Sequence, residues 1–130
     1  MSSPLPVVVF THGPIMFGLE AHRVAGRGLV DKQVSSVVPF SALYAPQAES
    51  EVLRPDPVTQ WLRLTGYSAD WLLGLNEGAD LIELEPADIY PLPSLLAQRC
   101  NFEPLKALGL HQQRLIALLD ADLLTQLAIR

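Results

Sequence analysis

The fold turns on one stretch, Leu72–Pro93, "LLGLNEGADLIELEPADIYPLP". Its first half breaks at Asn-Glu-Gly and resumes with apolar residues at Leu81 to Leu84. Its second half, Glu85 to Pro93, is interrupted by prolines. Proline removes a backbone donor and ends helices, so this stretch reads as strand, turn, strand and an irregular connection.

The same texture runs outward on both sides. Eleven prolines occur in 130 residues, recurring from Pro4 to Pro104 and then stopping. Average usage of about 5% would give roughly six or seven. Over the first hundred residues short strands joined by turns are expected rather than a helical bundle. Upstream, Trp61, Arg63 and Thr65 alternate with Leu62 and Leu64, the two-faced pattern of a strand. "TGYSAD" is a turn, and Trp71 to Leu75 is the return strand. At the start, Val7 to Thr11 is β-branched and aromatic, "HGP" at His12 to Pro14 is a turn, and Ile15 to Leu19 completes a hairpin. Gly26 to Gly28, "GRG", is expected to break the chain. Val34 to Tyr44 is a second apolar stretch containing Pro39, and the polar, proline-rich Ala45 to Pro57 is a long loop.

Downstream, Ser94 to Asn101 suits a short helical turn. Leucine favours helix, yet "LKALGL" and "RLIALL" flank "HQQ" as the arms of a last hairpin would. Leu123, Leu124 and Leu127 are at helical spacing with no proline, which predicts a C-terminal helix with Asp120 or Asp122 accepting its free N–H groups.

Composition bounds the function. The chain is 49% hydrophobic and 18% charged, enough apolar content for one domain with a real core. Its net charge is −5 and its basic residues are scattered, unlike a nucleic-acid binder. No apolar run approaches the roughly 18–20 residues that span a bilayer, and the N-terminus lacks the basic region of a signal peptide. The single cysteine, Cys100, cannot form an internal disulfide, so a cytoplasmic protein is expected.

No catalytic constellation is complete. Asp120 and Asp122 form a DxD pair, but neither a Walker-type loop nor an EF-hand pattern accompanies it. His12, His22 and His111 have no metal-ligand spacing, and Cys100 in "AQRCNF" lacks the flanks of a nucleophile. Neither an enzyme using Cys100 with a histidine nor one using the aspartates with a metal has its remaining parts, so no cofactor or metal is expected. Trp61 and Trp71 bracket a turn, and at least one is expected in the core. Arg27, between two glycines, is expected to be exposed on a binding surface.

Leu72–Pro93 resembles the CheW-like domain of bacterial chemosensory systems. In that family a Val-Asp-x-Val element runs into a second strand and an x-Pro-Leu-Pro-like segment. Here Asn76 to Ala79 occupies the element, with Glu77 at the acidic position and Ala79 at the second valine. "RLIALLDADLL", Arg114–Leu124, is similar to the closing strand and helix start, which gives Asp120 a structural match. "VVVFTHGPIMFGLEAHRV", Val7–Val24, resembles the opening strand pair, and "SSVVPFSALY", Ser35–Tyr44, the x-Pro-Val-x-Asp-Leu strand. The chain departs from the family at "LVDKQVSSVVPF", Leu29–Phe40, which lacks the Asn-x-Arg-Gly turn implicated in receptor contact. Ser41 stands where the family has Asp.

The resemblance implies a mainly β fold of two small, intertwined SH3-like barrels with a short C-terminal helix, as one domain. It implies a non-catalytic adaptor joining chemoreceptors to a histidine kinase's regulatory domain. The alternative is a CheW-like module that has lost kinase coupling and binds itself, as a homodimer, or another chemosensory or pilus component. Neither reading involves nucleic acid or membrane insertion. The expected partner contacts are Arg27, Val38, Phe40, Leu43 and Tyr44, with the core as the alternative place for Val38 and Phe40.

Overall fold

A computed structural model describes residues 3–31, 36–44, 58–66, 69–94 and 102–129. The expected Ala45–Pro57 loop, Cys100 and nearly all of the expected Ser94–Asn101 turn lie outside them.

The chain opens with an antiparallel hairpin of β1 (Leu5–His12) and β2 (Ile15–Glu20) around Gly13-Pro14. A 3-10 turn, Ala21–Arg23, leads into β3 (Val24–Leu29). Next come β4 (Val37–Pro39) and a one-turn helix α1 (Phe40–Leu43), then a hairpin of β5 (Gln60–Leu64) and β6 (Trp71–Leu75). The chain then returns through β7 (Ala79–Leu84), a 3-10 turn at Pro86–Asp88, β8 (Ile89–Pro91), β9 (Leu105–His111), β10 (Arg114–Leu119) and helix α2 (Ala121–Ala128). Two sheets result, in the orders β7-β1-β2-β10-β9-β8 and β3-β5-β6-β4. The second sheet is inserted between the halves of the first, so the two are nested along the sequence.

The hairpins and the C-terminal helix agree with the sequence reading, including β9–β10 against the helical propensity of leucine. Two expectations fail. Gly26–Gly28 does not break the chain; β3 runs through it, paired with β5. The Trp61 ring lies over Gly28, where a Cβ would come 2.5 Å from Trp61 Cζ2, so the glycine admits a close approach. Of Ser35–Tyr44, expected as a strand, the described residues 36–44 form one only over Val37–Pro39, after which the backbone turns helical at Phe40–Leu43.

Side-chain alternation divides the core in two. Val7 and Val9 of β1 pack with Leu84, Ile116 and Leu118. Phe10, on the other face of β1, joins Phe17, Leu19, Phe40, Leu62, Leu64, Leu73, Leu75, Leu119 and Leu124. A strand covered on both faces carries a continuous apolar run, which explains "VVVF". Gly18 sits against the smaller cluster, where an added Cβ would be 2.8 Å from Val7 Cγ1. The larger cluster takes residues from both sheets and from α2, so neither sheet completes its core alone.

Candidate protein-docking surface

β7 ends the six-stranded sheet and β3 ends the four-stranded sheet, and a groove runs between them. It encloses about 410 Å³ and is lined by Val8, Ala21, Val24, Arg27, Leu62, Asp80 and Leu81. The lining follows from strand periodicity. Leu62 points inward from β5, and Arg27 faces it across the β3–β5 ladder. Val8 and Leu81 face each other across β1 and β7. Arg27 Nη1 reaches over to donate to the Ala79 carbonyl at 2.8 Å, tying the two sheet edges at one end of the groove. Leu81 is 65% exposed and Leu29, two residues beyond Arg27, is 71% exposed. The walls are mostly apolar, with one cation, Arg27, and one carboxylate, Asp80; the exposed Leu81 and Leu29 extend the apolar surface beside them.

A second feature is an aromatic cluster at the tip of the β1–β2 hairpin. Tyr44 stacks on Phe40 with centroids 5.8 Å apart and meets Phe17 and Phe102 edge-on at 5.2 Å. His12 meets Phe40 and Tyr44 edge-on at 5.4 and 5.7 Å. Beside it, Thr11 Oγ1 donates to Glu77 Oε1 at 2.6 Å, which ties the Asn76–Ala79 element to the hairpin.

The expected contact residues do not form one patch. Arg27 is exposed on β3, while Val38, Phe40, Leu43 and Tyr44 belong to β4 and its following turn, at the opposite edge of that sheet. Val38 is half-buried opposite Leu73, and Leu43 and Tyr44 are half-buried against the larger core. Phe40 is only 2% exposed, so it supports its neighbours from within the core rather than presenting a surface. Val8, Leu62 and Leu81 were not expected in a docking surface. Leu81 had a signal in the alternation of "ADLIEL", but only sheet order brings it beside β3.

The aspartates fill separate structural roles. Asp120 Oδ1 accepts from the Asp122 and Leu123 backbone N–H groups at 2.9 and 3.2 Å, capping α2. Asp122 pairs with Arg23 Nη2 at 2.6 Å, and the guanidinium holds the Asp122 carboxyl below the ordinary aspartate range. Asp122 in turn raises the pKa of Arg23, whose Nε donates to Thr65 Oγ1 at 3.0 Å. Lys106 Nζ pairs with Glu20 at 2.8 Å and lowers the pKa of that carboxyl by its hydrogen bond. Trp71 packs on the core and donates from Nε1 to Thr125 Oγ1 at 3.0 Å. Trp61 is half-buried, with its Nε1 donating to the Leu29 carbonyl at 3.2 Å. Among the described residues, no group of three or more His, Cys, Asp or Glu side chains could hold a metal ion, and no helix is long and apolar enough to cross a membrane.

Comparison with known proteins gives no matching family model and no matching curated protein sequence. A solved structure does match, that of the scaffolding protein TtCheW from Thermoanaerobacter tengcongensis. The likeness has a TM-score of 0.65 at 11% sequence identity, covering 95% of this chain and 89% of that one. At that identity the likeness speaks for the fold. The chain has the mainly β, CheW-like architecture of two small barrels with a short C-terminal helix.

Proposed function

We propose that this chain is a non-catalytic adaptor of a bacterial chemosensory system, coupling receptors to a histidine kinase. The observation that carries this reading is the whole-length likeness to a scaffolding protein, with an open apolar groove kept between the two sheet edges. The ionisable side chains that sequence spacing made conspicuous, Asp120 and Asp122, are engaged in capping and ion pairing, which favours a scaffold over a reacting centre.

Contact falls on two surfaces: the groove, with Arg27 at its rim, and β4 with the turn after it, where Val38, Leu43 and Tyr44 are half-buried and Phe40 backs them. The test is titration calorimetry of the purified chain against the regulatory domain of a kinase from the same organism. Micromolar binding, on the order of −8 kcal/mol, is the expected result. Arg27→Ala is expected to weaken partner binding about tenfold, or about 1.4 kcal/mol, and to lower the melting temperature slightly because the hydrogen bond to the Ala79 carbonyl between the two sheet edges is lost.

The missing Asn-x-Arg-Gly turn favours a second reading, a module that has lost kinase coupling and binds itself or another chemosensory or pilus component. Absence of heat and of co-elution with the kinase domain at high concentration selects this second reading.

A further inference from the structure

We propose that β7 receives a basic, extended segment of a partner protein as an added strand along its free edge, and that the groove beside β3 accommodates it. This rests on the adaptor reading and names the form its partner takes there. β7 pairs only with β1 among the described residues and so presents one unpaired edge. The Ala79 carbonyl points away from β1, since it accepts from Arg27 across the groove. Backbone polar groups alternate in direction along a strand, so the Leu81 and Glu83 N–H and C=O groups point the same way. They face a space bounded on its far side by another sheet edge. An incoming strand can therefore satisfy β7 with its backbone while its apolar side chains reach Leu81 and Val8.

The charge of the segment follows from its surroundings. Asn76 to Asp88 contains five carboxylates, Glu77, Asp80, Glu83, Glu85 and Asp88, and no Lys or Arg; against them the groove lining carries one cation, Arg27, which is held on the Ala79 carbonyl. Asp80 and Glu83 are exposed on β7 itself. Like charges directly across a ladder destabilise it and opposite charges support it, so a second copy of this acidic edge is disfavoured and a lysine- or arginine-bearing strand fits.

The test is amide hydrogen exchange of the whole chain followed by nuclear magnetic resonance, with an acetylated, amidated hexapeptide alternating lysine and valine as probe. In the free protein the Leu81 and Glu83 amides are expected to exchange quickly. The peptide is expected to slow them at least tenfold. Binding should fall with added salt, and Asp80→Lys, on the face the lysines take when the valines meet Leu81, should weaken it about threefold or more with the spectrum otherwise retained. Slow exchange of both amides in the free protein would overturn the proposal, because the edge would already be covered. Equal binding of an alternating glutamate–valine peptide, or of the lysine peptide with its backbone N-methylated, would overturn it too. Kinase-domain binding that leaves Leu81 and Glu83 unprotected overturns the added strand and leaves the adaptor reading standing. Peptide protection without kinase binding does the reverse.

Discussion

At the scale of single residues, two aspartates of the same type and near-identical setting do different work because of where α2 begins. Asp120 precedes the helix with extended backbone, so its carboxylate folds over onto two free N–H groups. Asp120→Ala is expected to lower stability by about 1 kcal/mol, and Asp120→Asn by much less, as measured by urea denaturation. Asp122 lies in the first turn and looks away to Arg23. Its pKa, like that of Glu20, is depressed in the folded chain, so the unfolded chain binds protons more readily. Stability from both pairs is therefore fully present above the ordinary carboxylate range, near pH 4, and is lost as pH falls through the lower folded-state values. Both pairs are substantially solvated, so the effect is modest and weakens with salt. Thermal melts between pH 5 and pH 2 are expected to fall less steeply in the double variant Glu20→Gln, Asp122→Asn than in the parent.

At the scale of elements, turns decide what the sequence discloses. β9 and β10 are joined through Gln112 and Gln113, both with positive φ, at 51° and 67°. That left-handed pair is the turn that a two-residue hairpin needs, yet glutamine is strained in it, at roughly 1–2 kcal/mol per residue. Gln112→Asn with Gln113→Gly is expected to raise stability by about 1 kcal/mol, read as a higher denaturation midpoint at unchanged slope. An unchanged or lower midpoint would mean that the native turn is not under this strain. The hairpins were legible in the sequence because each has an alternating arm on both sides of a polar turn, and α2 was legible through its leucine spacing and its cap. β3 was not, since "GRG" carries a breaker's composition while its glycines answer to the Trp61 ring on the next strand. α1 was hidden for a related reason: its four residues are too few for periodicity to register. The candidate site was half legible. Arg27 stood out by its place between glycines, but Val8 and Leu81 reach the groove through sheet order, which no local pattern encodes.

At the scale of the whole molecule, the nested topology makes the two sheets dependent on each other. The larger core is completed by Phe10 and Phe17 from the first sheet, Leu62, Leu64, Leu73 and Leu75 from the second, Phe40 from α1 and Leu124 from α2. Opening either sheet exposes apolar surface of the other, so the two are expected to unfold in one cooperative step. The chain carries a convenient reporter, because Trp61 and Trp71 both lie on the second sheet, whereas far-ultraviolet circular dichroism reports strands of both. Denaturation followed by tryptophan fluorescence and by circular dichroism should give the same midpoint and slope. Leu73 is fully buried at the centre of the second sheet, and Leu73→Ala is expected to cost about 2–5 kcal/mol. It should shift both curves together. If the fluorescence transition of Leu73→Ala moves to lower denaturant while the dichroism transition splits or stays behind, the six-stranded sheet stands alone and the shared core is not what couples them. Coincident curves would tie the groove between β7 and β3 to the same unit, since its two walls belong to different sheets and keep their spacing only while both are folded.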